Sequence, residues 1–259
     1  MHMKGVYPAT KKDGTPYYRA SLTYQSKHIS LGSFESEELA NQCYQEGIRI
    51  LTSDLSTSDY REESVLSFEK WVSLINFRDH KIYFKTPIYM KNKYFYYYLS
   101  PSEILKFSSD DLFFYANHTI QRRGNHFFVS DYGMQVNIAN RYGIKNFAVK
   151  DRDYVFLNGD PLDFRYENIQ IINRYFGVEK IIHKGETRYK ARIHVNGNFT
   201  IGTYRTEEQA AIAYNKAIDL LGKKGYTKNY TFNYLDDLSP QMYAEIYTKT
   251  RISKKLESL

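Results

Sequence analysis

The stretch Arg188-Tyr189-Lys190-Ala191-Arg192-Ile193-His194-Val195, followed by Asn196-Gly197 and Phe199-Thr200-Ile201, decides the fold class. Its residues alternate strictly between polar and apolar, the period of a strand with one buried face. Asn-Gly is the strongest short hairpin signal, so a second strand is expected to return through Ile201. Thr206 then offers an N-cap, with Glu207 and Glu208 in the first turn of a helix, where carboxylates complement the helix dipole.

The arrangement occurs twice. Gly177-Val178, Tyr189 to Ile193, Ile201-Gly202-Thr203-Tyr204 and Thr206-Glu207-Glu208 match Gly5-Val6, Tyr18 to Leu22, Leu31-Gly32-Ser33-Phe34 and Ser36-Glu37-Glu38. The spacing of the copies is far longer than a solenoid repeat and marks a duplicated domain. The helix stripes agree as well: Ala40, Cys43, Tyr44, Gly47, Ile48 and Leu51 answer to Ala210, Ala213, Tyr214, Ala217, Ile218 and Leu221. Small residues on that stripe allow the helix to approach a sheet closely, and Cys43 reads as a small buried hydrophobe. Each copy is thus expected to be a three-stranded antiparallel sheet with a helix on one face and the other face bare.

On the second bare face stand Arg188, Lys190, Arg192 and His194, with Asn198 and Thr200 on the next strand. These cations are read as contiguous and unbroken by acid, so they call for an external counter-charge. Three strands about 4.8 Å apart make a ribbon about 10 Å across, close to the roughly 12 Å major groove of B-DNA. Arginine there can contact guanine bidentately and lysine can contact phosphate. The first face carries Tyr17, Arg19, Ser21, Thr23, His28 and Ser30, with one fixed charge against three. The two halves are expected to be unequal, the C-terminal one dominant.

Composition agrees. Among 259 residues, aromatics reach 17% and the formal charge is +7, a balance that suits a nucleic-acid partner. Net charge is 0 over residues 1–58, +1 over 59–173 and +6 over 174–259. No apolar run approaches the roughly 18–20 residues of a membrane span, and no basic-then-apolar leader is present, so a cytoplasmic, nucleoid-associated chain is expected. The lone Cys43 excludes an internal disulfide.

Taken together, the Gly-Val start, alternating strand, Leu/Ile-Gly-Ser/Thr-aromatic step and Ala/Tyr helix resemble the Apetala2/ethylene-response-factor DNA-binding domain. Tyr226 to Asn233 is similar to that domain's Asn-Phe ending. The resemblance implies a sheet lying in the major groove of double-stranded DNA, with base-reading positions at Arg192, His194, Asn198 and Thr200, and at Ser21, Thr23, His28 and Ser30. Several of the family's usual Arg and Trp residues are absent, so its base preference does not carry over.

Residues 137–177 resemble an HNH endonuclease of the mobile-element type, through Tyr154 to Ile169 and above all Asn158-Gly159-Asp160-Pro161-Leu162-Asp163. Asp163, Arg165, Glu167 and Asn168 are expected to hold the turn. The family's central His falls on Phe156, its middle Asn on Phe164 and its upstream His on Asn137. A phenyl ring neither takes a proton nor binds a metal, so neither catalytic residue nor metal nor cofactor is expected. His118 and His126, read as lying on an aromatic hairpin, have no carboxylate cluster at ligand spacing.

The expected fold class is α+β: sheet-plus-helix domains at 1–58 and 174–259 flank a degenerate HNH-like ββα domain at 59–173, which sets their spacing. In the middle, Ile82–Met90 and Tyr94–Leu99 read as a long hairpin, and Ser102–Phe107 as a short helix. Arg122-Arg123-Gly124-Asn125 reads as a basic turn, solvated or touching DNA. The run Tyr94 to Tyr98 either stacks bases or fills a core. Met242, Tyr243, Ile246 and Tyr247 form an apolar stripe that packs at home or on a second chain; a homodimer through this helix or the aromatic middle is the candidate protein assembly. A sequence-specific regulator of transcription is the leading expectation, an active HNH nuclease and a mobile-element protein-interaction factor the alternatives.

Overall fold

The computed structural model describes residues 3–258. The chain is α+β, built of small antiparallel sheets and helices. It divides into two compact units: one runs up to Tyr142 and includes Asn158–Ile169, the other comprises Gly143–Leu157 and Gln170 onward.

In the first unit, β1 (Val6–Thr10), β2 (Pro16–Tyr24) and β3 (Lys27–Phe34) form an antiparallel sheet in that order. A two-residue turn with left-handed Gln25 and Ser26 joins β2 to β3. Helix α1 (Glu37–Thr52) starts where the Ser36 hydroxyl accepts the Leu39 amide at 3.2 Å. Ala20, Ala40 and Cys43 are fully buried between helix and sheet. A Cβ on Gly47 would lie 2.9 Å from Leu22 Cδ2, so the small stripe does set the helix–sheet distance; Ile50 rather than Ile48 completes it.

The repeated Gly-Val start has a steric cause. Gly5 and Gly177 have φ of +78° and +68°, a region costly for a residue with a Cβ. A Cβ added to Gly5 would overlap the Tyr44 ring, and one on Gly177 the Tyr214 ring.

The core of this sheet continues into α2 (Phe68–His80), whose Trp71, Leu74, Ile75 and Phe77 join Val6, Leu22, Ile29 and Leu31 in one cluster. Beyond it lie a sheet of β4 (Ile88–Met90), β5 (Tyr94–Tyr98) and β6 (Ile104–Ser108), helix α3 (Leu112–Asn117), and a sheet of β7 (Gln121–Arg123), β8 (His126–Asp131) and β9 (Met134–Asn137). Two expectations are corrected here. The long hairpin is short, because β4 begins only at Ile88. Ser102–Phe107 is not a helix: Leu105 and Phe107 alternate inward and pair across from Tyr97 and Phe95, and period 2 wins over length. Within the aromatic run Phe95, Tyr97 and Tyr98 are buried, so it serves as core.

In the second unit, β10 (Tyr154–Phe156) pairs with β11 (Ile169–Ile171), which starts at the boundary. Then β12 (Val178–His183), β13 (Glu186–His194) and β14 (Asn198–Tyr204) repeat the order of the first sheet. The β-bulge recurs too, between Ala20 and Ser21 and between Ala191 and Arg192. The β13–β14 connection has three residues, Val195 to Gly197, closed by Val195 N–H to Gly197 O at 3.0 Å. Helix α4 (Glu207–Lys223) is capped by Thr206. Asn233 ties the following segment down: its amide N–H reaches Asn215 Oδ1 at 2.8 Å, and its side chain bonds both N–H and C=O of Phe176. The last elements are α5 (Pro240–Lys249) and α6 (Lys254–Glu257). Tyr243, Ile246 and Tyr247 pack on the unit's own core, and the Tyr247 hydroxyl donates to Asp219 at 2.8 Å. Three of the four stripe residues are engaged at home, and Met242 is exposed. Among the described residues no helix is long and apolar enough to cross a membrane.

Candidate nucleic-acid interface

Each repeat buries one sheet face under its helix, Ala191 and Ile193 in the second copy and Ala20 and Leu22 in the first. The alternating positions are left on the opposite face. In the second copy these are Arg188, Lys190, Arg192 and His194 on β13, with Thr200 across from Arg192 and Asn198 across from His194. His194 Nδ1 and Asn198 Oδ1 are 3.2 Å apart. His194, Asn198 and Thr200 are exposed, while Arg188, Lys190 and Arg192 lie partly along the sheet.

The premise that acid is missing from this face is corrected. Glu186 stands two residues before Arg188 and pairs with it, and Glu179 on β12 pairs with Arg192. Register puts Glu179 directly across from Lys190. Three fixed cations and two carboxylates leave the face at a net +1. A two-residue turn at Lys184-Gly185, both left-handed, fixes the register that sets Glu179 against Lys190.

The first face contains no carboxylate among its strand positions. Arg19 is exposed and makes no ion pair among the described residues, so this face too stands at a net +1. Thr23 and His28 are cross-strand partners, Ser21 and Ser30 likewise; Thr23, His28 and Ser30 are exposed and Tyr17 is half-buried. Ser21 is corrected as a contact residue: it is 7% exposed. Its N–H bonds Gly5 O at 3.0 Å, as Arg192 N–H bonds Gly177 O at 2.7 Å. The two residues occupy the same bulge, but only the long arginine side chain emerges from it. A groove beside β3 adds Lys70 and Lys85 to Lys27, His28 and Ser30. No local pattern brings Lys70 and Lys85 to that strand; α2 and the chain after it do.

The turn expected from the HNH resemblance is fully bonded. Asn158 donates to Asp163 at 2.9 Å, Asn168 donates to the Asp163 carbonyl at 2.8 Å, and Arg165 bridges Asp163 at 2.7 Å and Glu167 at 2.6 Å. Burial works against the Asp163 charge, yet the Arg165 bonds and nearby Lys106 hold its carboxyl below the usual range. Phe164 is buried with ring centroids 5.8 Å from Phe107 and 5.4 Å from Tyr142. Phe156 is buried, edge-on to Tyr154 at 5.7 Å, and Asn137 caps the turn after β9 by accepting the Ala139 amide. The expected ββα unit is met only in its strands: β11 ends at Ile171 and β12 begins at Val178, with no helix between. His118 is not on a hairpin; it ends α3, its Nδ1 2.8 Å from Phe114 O, while His126 starts β8. Among the described residues no group of three His, Cys, Asp or Glu side chains could hold a metal ion. In the basic turn, Arg122 is engaged by Glu103 at 2.5 Å.

Sequence reasoning missed a further cluster. Lys145, Arg152, Asn173, Phe176 and Arg192 line a cavity of about 330 Å³ within the second unit. No family model, curated protein or solved structure matches the chain.

Proposed function

We propose that the protein is a sequence-specific binder of double-stranded DNA, non-enzymatic and acting in transcription regulation, whose two helix-free sheet faces read major grooves. The observation that carries this reading is the duplicated sheet: same strand order, same bulge, same capped helix, and in both copies exposed positions on the side away from the helix, Arg19, Thr23, His28 and Ser30 in the first and His194, Asn198 and Thr200 in the second. The resemblance of both copies to the Apetala2 domain points the same way. Arg188, Lys190, Arg192, His194, Asn198 and Thr200 form the second contact surface, Tyr17, Arg19, Thr23, His28 and Ser30 the first. On the second face, longer side chains reach toward base edges. On the first, hydroxyls and His28 dominate, with Lys70 and Lys85 alongside for phosphate.

A nuclease reading lacks its imidazole at Phe156 and the helix of a ββα unit, which favours the binding role. Selection of bound sequences from random duplexes tests the proposal. An enriched motif whose affinity falls steeply with salt is the expected result. Binding that is weak, sequence-indifferent and insensitive to salt overturns it.

A further inference from the structure

The cavity in the second unit holds three features that the fold does not require. Lys145 is half-buried with its Nζ 4.2 Å from the Phe176 ring centroid and 5.6 Å from that of Tyr175. It makes no ion pair among the described residues, and burial pushes its amine down to about 8 against the pull of Glu207. Arg192 spends one guanidinium nitrogen on Glu179, and its side chain is 42% exposed. At the rim, Phe147 is 99% exposed and held at φ +66°. A bulky residue in the left-handed region is uncommon, and such backbone concentrates at functional sites.

These features describe one ligand chemistry. Two cationic side chains in the lining of one cavity suit a phosphate. A bare aromatic ring at the mouth suits a flat, π-faced body, since any base can stack on it. The volume is that of a small-ligand cleft. We propose that this cavity is a nucleotide site, with phosphate held between Lys145 and Arg192 and the base stacked on Phe147. The nucleotide comes either free from solution or from the duplex, and the duplex source rests on the function proposed above. Because Arg192 also belongs to the sheet face, a free nucleotide here is linked to DNA binding, each altering the affinity of the other.

The test uses the full chain with adenosine 5′-monophosphate, adenosine and inorganic phosphate, read by calorimetry, together with the selected duplex. Phe147→Ala removes only an exposed ring, so it leaves packing intact, and Lys145→Met removes the ammonium beside Phe176 while keeping an unbranched side chain. The expected result is that the monophosphate binds more tightly than either fragment and weakens about tenfold in each variant. If the monophosphate does not bind but both variants weaken the duplex about tenfold, the nucleotide is supplied by DNA and the site stands. If monophosphate binding persists while no duplex binds, the function reading falls and the site still stands. Monophosphate and phosphate binding equally, with Phe147→Ala silent, overturns the proposal. So does the loss of any effect of both variants on every probe.

Discussion

Glu179→Gln should strengthen DNA binding. In the free protein Glu179 occupies a terminal nitrogen of Arg192, and the second sheet face has a net charge of +1 because Glu179 and Glu186 offset two of its three cations. Removing one carboxylate adds one positive charge where phosphate is expected. Each phosphate neutralised on B-DNA changes the slope of log K against log salt by about −0.9. At about 0.1 M salt, one added contact is therefore worth roughly eightfold in affinity. The stability cost is small, since the two side chains are 42% and 30% exposed and such pairs contribute about 0–1 kcal/mol. Fluorescence anisotropy on the selected duplex over a salt series measures affinity and slope together. Glu245→Gln, which breaks the exposed Lys249 pair on α5, serves as the control and should leave the slope alone. Unchanged or weaker binding by Glu179→Gln, with the fold intact by circular dichroism, would refute the placement of this face on DNA.

Arg192→Ala should weaken specific binding by about 1–3 kcal/mol, as for a lost bidentate base contact, whereas Ser21→Ala at the same bulge should leave duplex affinity unchanged because Ser21 is buried. Gly177→Ala combines left-handed strain with overlap of Tyr214 and should cost roughly 2–4 kcal/mol in chemical denaturation; a neutral effect would contradict the account of the Gly-Val motif. Lys145→Met should raise stability by about 1 kcal/mol at neutral pH, once its remaining contact with water is allowed for. The folded Lys145 releases its proton near pH 8 while the unfolded chain keeps it to about 10.5, so wild-type stability gains with rising pH across that window. Arg174 and Glu207 are the charges that act on Lys145. The advantage of Lys145→Met should shrink from pH 8 to 10.5 in parallel urea titrations.

The repeat, the alternation and the caps were legible in residue order because each is a local rule: period 2 for a strand, a small stripe at helical spacing, a Ser or Thr before two glutamates. The bonded turn at Asn158 to Asn168 was expected from the HNH resemblance, and its partners lie within ten residues of one another. Ser102–Phe107 escaped because six residues carry too little periodicity to separate strand from helix until Tyr97 and Phe95 pair with Leu105 and Phe107.

What only the tertiary structure decided is the electrostatics of the faces and the existence of the cavity. Counting charges along β13 alone could not weigh Glu179, which reaches Arg192 from the neighbouring strand, nor place Lys70 and Lys85 beside His28. Nor does any window of sequence place Lys145 and Phe147 near Arg192, more than forty residues on. Local order sets backbone conformation through short-range sterics and periodicity. Charge balance and cavities depend on which distant side chains packing brings within a few ångströms, and that is settled only when the chain has closed on itself.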